Sequence, residues 1–248
     1  MKIPTIVTFS NIGYLDFAKN FILSFLVNTT NSKLDFYCLD SILYDALKAF
    51  LSENDTRVVL TLFDDKISKK FENYGSLEYN KIMATKIRVI LDSLKKYSYI
   101  HFADSDIVFL KEPTEEYYSK YSEYDITFQP DCASLEPFAL WACAGNMTIR
   151  DTPGTHNLIN IIVEYQTKYP NKNDQECMYQ YFLDLKLKNI REYTDAKLYE
   201  YPRQDFANGH AIQNNLVDIN KIMVFHANYV VGKDPKVKLL KQVGGWFI

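Results

Sequence analysis

An α/β fold with a mainly parallel central sheet flanked by helices is what this sequence predicts, and three observations carry that reading. Strand-like apolar runs alternate with helix-period segments through the first half of the chain, the order that builds a parallel sheet covered on both faces. Residues 99–110 contain two apolar stretches interrupted by Asp104-Ser105-Asp106, a polar break placed where open α/β sheets bind their ligands. No internal repeat, low-complexity stretch or Gly/Pro-rich linker divides the sequence, so residues 1–248 read as one domain.

The elements follow in order. Residues 3–9 read as the opening strand, 11–14 as a turn, and 15–27 as a helix with Leu15, Ala18, Phe21, Ile22 and Phe25 along one stripe. Residues 34–39 form a second strand, 42–50 a short helix and 57–62 a third strand. A long helix is expected over 80–97, where Met83, Ile87, Ile90, Leu91 and Leu94 recur at helical spacing, and it feeds a central strand at 99–103. Residues 125–129 read as a further strand, and 140–149 continue the sheet in a direction the pattern leaves open. Pro153-Gly154-Thr155 opens a helix to about residue 165. Asn173 caps another, running to about residue 187, with Asp174 and Glu176 suited to its first turn. Residues 222–225 are a short apolar strand that delivers His226.

Composition narrows the function. With 47% hydrophobic and 24% charged residues the chain is of the folded globular type. A formal charge of −3 and scattered lysines give no electrostatic footprint for nucleic acid. The 19 Tyr and 16 Phe supply core area and a potential groove lining. Cys38, Cys132, Cys143 and Cys177 lack the close spacing of a zinc knuckle or a redox motif and read as free, buried thiols. The N-terminal residues have no secretory pattern and no stretch of 18 apolar residues exists, so the expectation is a cytoplasmic protein without a membrane span.

Two carboxylates at the interior end of a strand are costly unless a ligand or counter-ion compensates them. A divalent cation held against a phosphorylated substrate is the economical compensation, which points to a nucleotide or nucleotide-sugar. If the strand continues through 104–106, period-two alternation puts both carboxylates on one side. One can then contact ribose or metal-bound water and the other a cation bridging two phosphates. The alternative is a polar strand end with its Asp residues in solvent. A DxD phosphatase wants its acidic strand near the N-terminus and a following Thr, where this chain has Val108. His226 is a reasonable Mn²⁺ ligand or an ordinary core histidine. No GxGxxG or Walker-type loop is present.

Several segments occur in a telling order: the helix with Lys86; Phe102-Ala103-Asp104-Ser105-Asp106-Ile107-Val108-Phe109-Leu110-Lys111-Glu112-Pro113; Cys143-Ala144-Gly145-Asn146-Met147-Thr148-Ile149-Arg150; Asn173-Asp174-Gln175; and His226-Ala227-Asn228-Tyr229-Val230-Val231-Gly232 with Lys236, Leu240, Gly245 and Trp246 after it. The ordered set resembles the nucleotide-diphospho-sugar transferase family, which contains plant cell-wall xylosyltransferases and related α-galactosyltransferases, over residues 8–246. The resemblance implies a GT-A-like fold, a UDP-sugar donor, a glycan, glycoprotein or small acceptor, Mn²⁺ or Mg²⁺, and retention of the anomeric configuration. It gives Asp104, Asp106 and His226 to the metal, with Asp104 also near the ribose. Thr8, Asn11 and Tyr14 fall on the nucleobase side, and Lys86 and Lys236 towards the diphosphate. Ala144 and Gly145 line the donor sugar, Asn228 is among the donor-binding residues, Gly232 lies by the diphosphate, Asp174 binds sugar hydroxyls, and Gln175 sits near the anomeric carbon. Asp131 reaches either acceptor or sugar, or simply serves a turn beside Pro130; Lys233 competes with Lys236 for its role. Cys143 stands where many relatives carry Asn, a departure that bears on sugar identity. Two rival classes share such a sheet: a nucleotide-sugar hydrolase or pyrophosphorylase, and a glycan-binding protein without activity.

Overall fold

The computed structural model describes residues 3–52, 55–63, 66–131 and 137–248. In chain order the main elements are β1 (Thr5–Ser10), α1 (Leu15–Asn28), β2 (Leu34–Cys38), α2 (Ser41–Phe50), β3 (Val58–Leu62), α3 (Leu77–Lys96), β4 (Tyr99–Ala103), β5 (Ile107–Phe109) and α4 (Glu115–Ser119). They continue with β6 (Ile126–Pro130), β7 (Ala142–Arg150), α5 (Pro153–Lys168), α6 (Asp174–Asp184), β8 (Leu198–Glu200), β9 (Phe206–Asn208), α7 (Gly209–Gln213), β10 (Val224–His226) and α8 (Lys233–Gln242). Local chemistry sets the helix starts. Asp40, Ser76, Thr114, Thr152 and Asn173 each accept a backbone N–H in the first turn that follows. At α6, Asn173 and Glu176 complete a reciprocal capping box.

A seven-stranded sheet in the order β3-β2-β1-β4-β7-β6-β8 forms the centre. β3, β2, β1 and β4 run parallel, β7 runs antiparallel to both β4 and β6, and β8 is parallel to β6. The sheet is therefore mixed but mainly parallel, as expected. Alternate residues of β1 divide its two faces. Val7 and Phe9 pack with Ile87 and Ile90 of α3 and Phe182 of α6, whereas Ile6 packs with Phe21 and Phe25 of α1 and with Leu43 and Leu47 of α2.

A second sheet, β5-β10-β9, has no counterpart in the sequence reading. β10 pairs antiparallel with β5 and parallel with β9. Its residues Val108, Ala207 and Phe225 pack with Leu239 and Leu240 of α8, with Phe17 joining from α1. The strand does not continue through Asp104–Asp106, so period-two alternation is not what brings the two carboxylates together. β4 ends at Ala103, the chain turns, and Ile107 N donates to Asp104 O at 3.0 Å before β5 enters the other sheet. Cys38, Cys143 and Cys177 are free and buried; Cys132 lies outside the described residues. Among the described residues no helix is long and apolar enough to cross a membrane.

Candidate functional site

The turn between β4 and β5 carries Asp104 and Asp106, and the two sheets meet there. The β5–β10 register sets Ile107 opposite His226, so the strand pairing itself brings the imidazole to the carboxylates. One ligand atom from each of Asp104, Asp106 and His226 falls in a group spanning no more than 4.8 Å. His226 Nε2 stands 3.3 Å from Asp106 Oδ1. On the other side Ala103 pairs with Asn146 across β4 and β7, and Asp104 N donates to Gly145 O at 2.7 Å. Gly145 leaves room that no other residue would. A Cβ there would lie 2.3 Å from Asp104 Oδ2 and 2.8 Å from His226 Cε1. The glycine is thus a close-approach position.

Two lysines neutralise this acidic centre. Lys86 projects inward from α3 and is almost fully buried, with Nζ 3.5 Å from Asp104 Oδ1, 3.1 Å from Asp174 Oδ2 and 3.3 Å from Ala144 O. Burial opposes the Lys86 charge, but the flanking carboxylates Asp104 and Asp174 outweigh it and hold the ammonium above its usual range. Lys236, from α8, ion-pairs with Asp106 and donates to Ala227 O at 3.1 Å. Burial works against ionisation of Asp106, yet Lys236 and His226 together keep its carboxyl well below the ordinary range. Asp104 goes the other way: burial pushes it up, to about 6, against the pull of Lys86 and His226. The neighbouring carboxylates thus titrate apart, a feature of functional sites. Lys233, the rival candidate, points outward and pairs with Asp16.

Asp174 and Gln175 open α6, which also reaches the centre. Asp174 is buried against Lys86. Gln175 Oε1 accepts from Ala144 N at 3.0 Å, and its Nε2 donates to Asp131 Oδ2 at 2.7 Å. Asn228 Nδ2 donates to Asp131 Oδ1, also at 2.7 Å, and the Tyr229 hydroxyl donates to the Asp131 carbonyl. Burial raises the Asp131 pKa, with the two amides pulling against it.

These groups floor a cleft of about 450 Å³, of the size that takes small molecules. Of the sequence-predicted residues, Asn11, Tyr14, Lys86, Asp104, Asp106, Asp131, Gly145, Asp174, Gln175, His226, Asn228, Gly232 and Lys236 all border it. Ala144 lies just behind, reached through its backbone groups. Thr8 is fully buried outside the lining, its hydroxyl unpartnered. Asn11 and Tyr14 are engaged by the segment after β3. Asn11 Nδ2 donates to Lys70 O at 3.1 Å and also to Ser68 O, Tyr14 OH to Glu72 O, and the Tyr14 ring meets Phe71 at 4.5 Å. Gly13 permits this crossing, because a Cβ would fall 2.1 Å from the Lys70 carbonyl carbon. That segment brings Phe71, Glu72, Asn73 and Tyr74 to the wall, together with Trp141. Sequence reasoning has no pattern with which to find them; the aromatic excess is the one signal. Cys143, the departure from the family pattern, sits with Sγ 3.5 Å from His226 Nδ1, and burial drives its pKa well up, so it is a thiol.

Two carboxylates and one imidazole form a donor set suited to Mn²⁺ and acceptable to Mg²⁺. The buried Asp104 Oδ1 has no hydrogen-bond partner, so the site has ligating capacity to spare. On both counts the residues fit a divalent cation.

The comparisons with known proteins agree with this geometry. The sequence profile of the nucleotide-diphospho-sugar transferase family matches residues 32–240. A UDP-galactose:fucoside alpha-3-galactosyltransferase of Dictyostelium discoideum is 23% identical over 98% of the chain, which spans 43% of that protein's length. Among solved structures, the galactosyltransferase LgtC in complex with donor and acceptor sugar analogs superimposes with a TM-score of 0.61 at 10% identity, covering 97% of this chain and 95% of that one. Mouse xyloside xylosyltransferase 1 gives 0.60 at 13% identity over 91% and 98%. The Streptococcus pneumoniae glycosyltransferase GlyE gives 0.59 at 13% over 98% and 60%. At these identities the structural likeness speaks for the fold.

Proposed function

Because the chain belongs to the nucleotide-diphospho-sugar transferase family, we propose that it is a metal-dependent glycosyltransferase moving a sugar from a UDP-sugar to a hydroxyl of a glycan, glycoprotein or small acceptor. The observation that carries this reading is the convergence of Asp104, Asp106 and His226 beside Lys236 on the floor of one cleft. UDP-galactose is the first donor to test, since the Dictyostelium relative is named for it.

Asp104, Asp106 and His226 would hold the cation, which would supply neutralisation of the charge that builds on the leaving diphosphate. Lys236 adds a mobile positive charge at the same place. Asp174, anchored on Lys86, accepts from hydroxyls of the donor sugar. Gln175 stands near the anomeric carbon; its neutral amide is a poor nucleophile, so no covalent sugar forms on it. The C–O bond to the diphosphate loosens, positive charge develops on the ring, and the acceptor hydroxyl attacks from the side the diphosphate leaves. A diphosphate oxygen takes the acceptor's proton. Attack on that face retains the anomeric configuration.

The reading is tested by incubating purified protein with Mn²⁺ and single UDP-sugars and following UDP release with and without glycoside acceptors. Asp106→Ala and His226→Ala each remove a ligand and are expected to abolish turnover while circular dichroism stays native. Wild-type rates from both variants would sink the metal assignment.

A further inference from the structure

Asp131 follows β6 at the cleft, and it is only 6% exposed. Each of its carboxylate oxygens accepts from an amide nitrogen at 2.7 Å, Oδ2 from Gln175 and Oδ1 from Asn228. An ionised carboxylate only accepts, so both amides must turn their NH₂ groups towards it. The rest of the network obeys the same constraint. With Nε2 on Asp131, Gln175 Oε1 faces Ala144 N–H at 3.0 Å; with Nδ2 on Asp131, Asn228 Oδ1 accepts from Gly209 N at 3.3 Å. Gly209 is itself held close, since a Cβ there would meet Asn228 O at 2.1 Å. The Gln175 amide is therefore pinned at both ends. Reversing it would set acceptor against acceptor at Asp131 and donor against donor at the Ala144 N–H in a buried place, a costly exchange.

We infer that Asp131 is a positioning residue: it fixes the orientation of the Gln175 side-chain amide at the reacting face, and it is not the group that takes the acceptor's proton. The inference rests on the glycosyl transfer proposed above. Both oxygens of Asp131 anchor amides; each keeps one lone pair, but the two anchors hold the carboxylate turned to Gln175 and Asn228. Carboxylate chemistry at position 131 matters only as a pair of acceptors. The two roles separate when the charge is moved one partner along.

In Asp131→Asn the new amide offers one acceptor and one donor to two NH₂ groups, so either Gln175 is opposed, or Asn228 is opposed or turns over and gives up the 3.3 Å bond from Gly209 N; in each case the network loses a bond. Combining Asp131→Asn with Asn228→Asp repairs it. The amide oxygen at position 131 then accepts from Gln175, and its nitrogen donates to the carboxylate at position 228, whose second oxygen keeps the Gly209 N–H. Every bond to Gln175 is restored, and no carboxylate remains at position 131. For a positioning role, Asp131→Asn lowers kcat at least about tenfold with the UDP Kd within about twofold; the double variant recovers most of that kcat at saturating donor, while its UDP Kd rises because position 228 also borders the donor. Asn228→Asp alone sets two carboxylates against each other across a hydrogen-bond distance and is expected to lose activity as well, closing the cycle. A double variant whose Gln175 NH₂ resonances return to their wild-type positions while kcat at saturating donor stays as low as in Asp131→Asn would mean that a carboxylate is needed at position 131 and would overturn the inference. So would a parallel loss of kcat, UDP affinity and thermal stability in Asp131→Asn, which marks a merely structural residue. The side-chain NH₂ resonances of Gln175 in ¹⁵N spectra supply a readout independent of turnover: they shift in Asp131→Asn and return in the double variant. If wild-type protein turns over no UDP-sugar, the transferase reading fails, while unchanged resonances in Asp131→Asn would refute the positioning role on its own.

Discussion

Gly145 has Asp104 Oδ2 and His226 Cε1 at 2.3 and 2.8 Å from where its Cβ would stand. Neither neighbour can retreat without leaving the metal group. Gly145→Ala is accordingly expected to weaken Mn²⁺ binding about tenfold or more in calorimetry, and an unchanged affinity would show that the three ligands do not act together. Lys236→Ala removes the ammonium beside Asp106. It should weaken UDP binding by about tenfold, the scale of one charge-assisted contact; unchanged affinity would transfer the role to Lys233 or remove it. At this scale the sequence is informative about groups that do chemistry and silent about what holds them. Asp104, Asp106 and His226 are legible because acidic residues between two apolar runs and a histidine at a strand end have few comfortable places to go. The burial of Lys86 between Asp104 and Asp174, and the amides bonded to both oxygens of Asp131, depend on neighbours distant along the chain. No local pattern encodes them.

His101 shows how elements are tied together around the site. It lies on β4, with Nδ1 2.8 Å from Tyr118 OH of α4 and Nε2 2.7 Å from Asn146 Oδ1 of β7. Burial lowers its pKa to about 4, so the folded ring is neutral where an unfolded one begins to protonate. The unfolded chain then binds more protons between about pH 6.5 and 4, and the stabilisation by neutral His101 is complete above that window and fades as the pH falls through it. Between about pH 7.5 and 5 this one residue accounts for roughly 2 kcal/mol of lost stability. Urea unfolding at the two pH values should give a smaller loss in His101→Gln, which keeps hydrogen-bonding capacity without a titrating ring; an equal loss would place the acid sensitivity elsewhere. Long elements such as α1, α3 and β7 are readable because many residues share one period. The three-residue strands β8 and β9 are not, because a period needs more length than they have and their existence depends on pairing with distant strands.

Across the whole molecule, the site is a junction. The seven-stranded sheet contributes β4 and β7, the small sheet contributes β5 and β10, and α3, α6 and α8 bring Lys86, Asp174 with Gln175, and Lys236. The cluster of Asp104, Asp106 and His226 forms only if both sheets keep their register, and the chain shares the architecture of LgtC at 10% identity. The fold class can be expected from alternation alone, whereas the second sheet cannot. The central claim is that this junction is a metal-dependent site for UDP, and calorimetric titration of UDP into the purified protein, with Mn²⁺ and again with EDTA, tests it most directly. Micromolar binding that disappears on chelation is the predicted result; no binding of UDP by folded protein in either condition would contradict it.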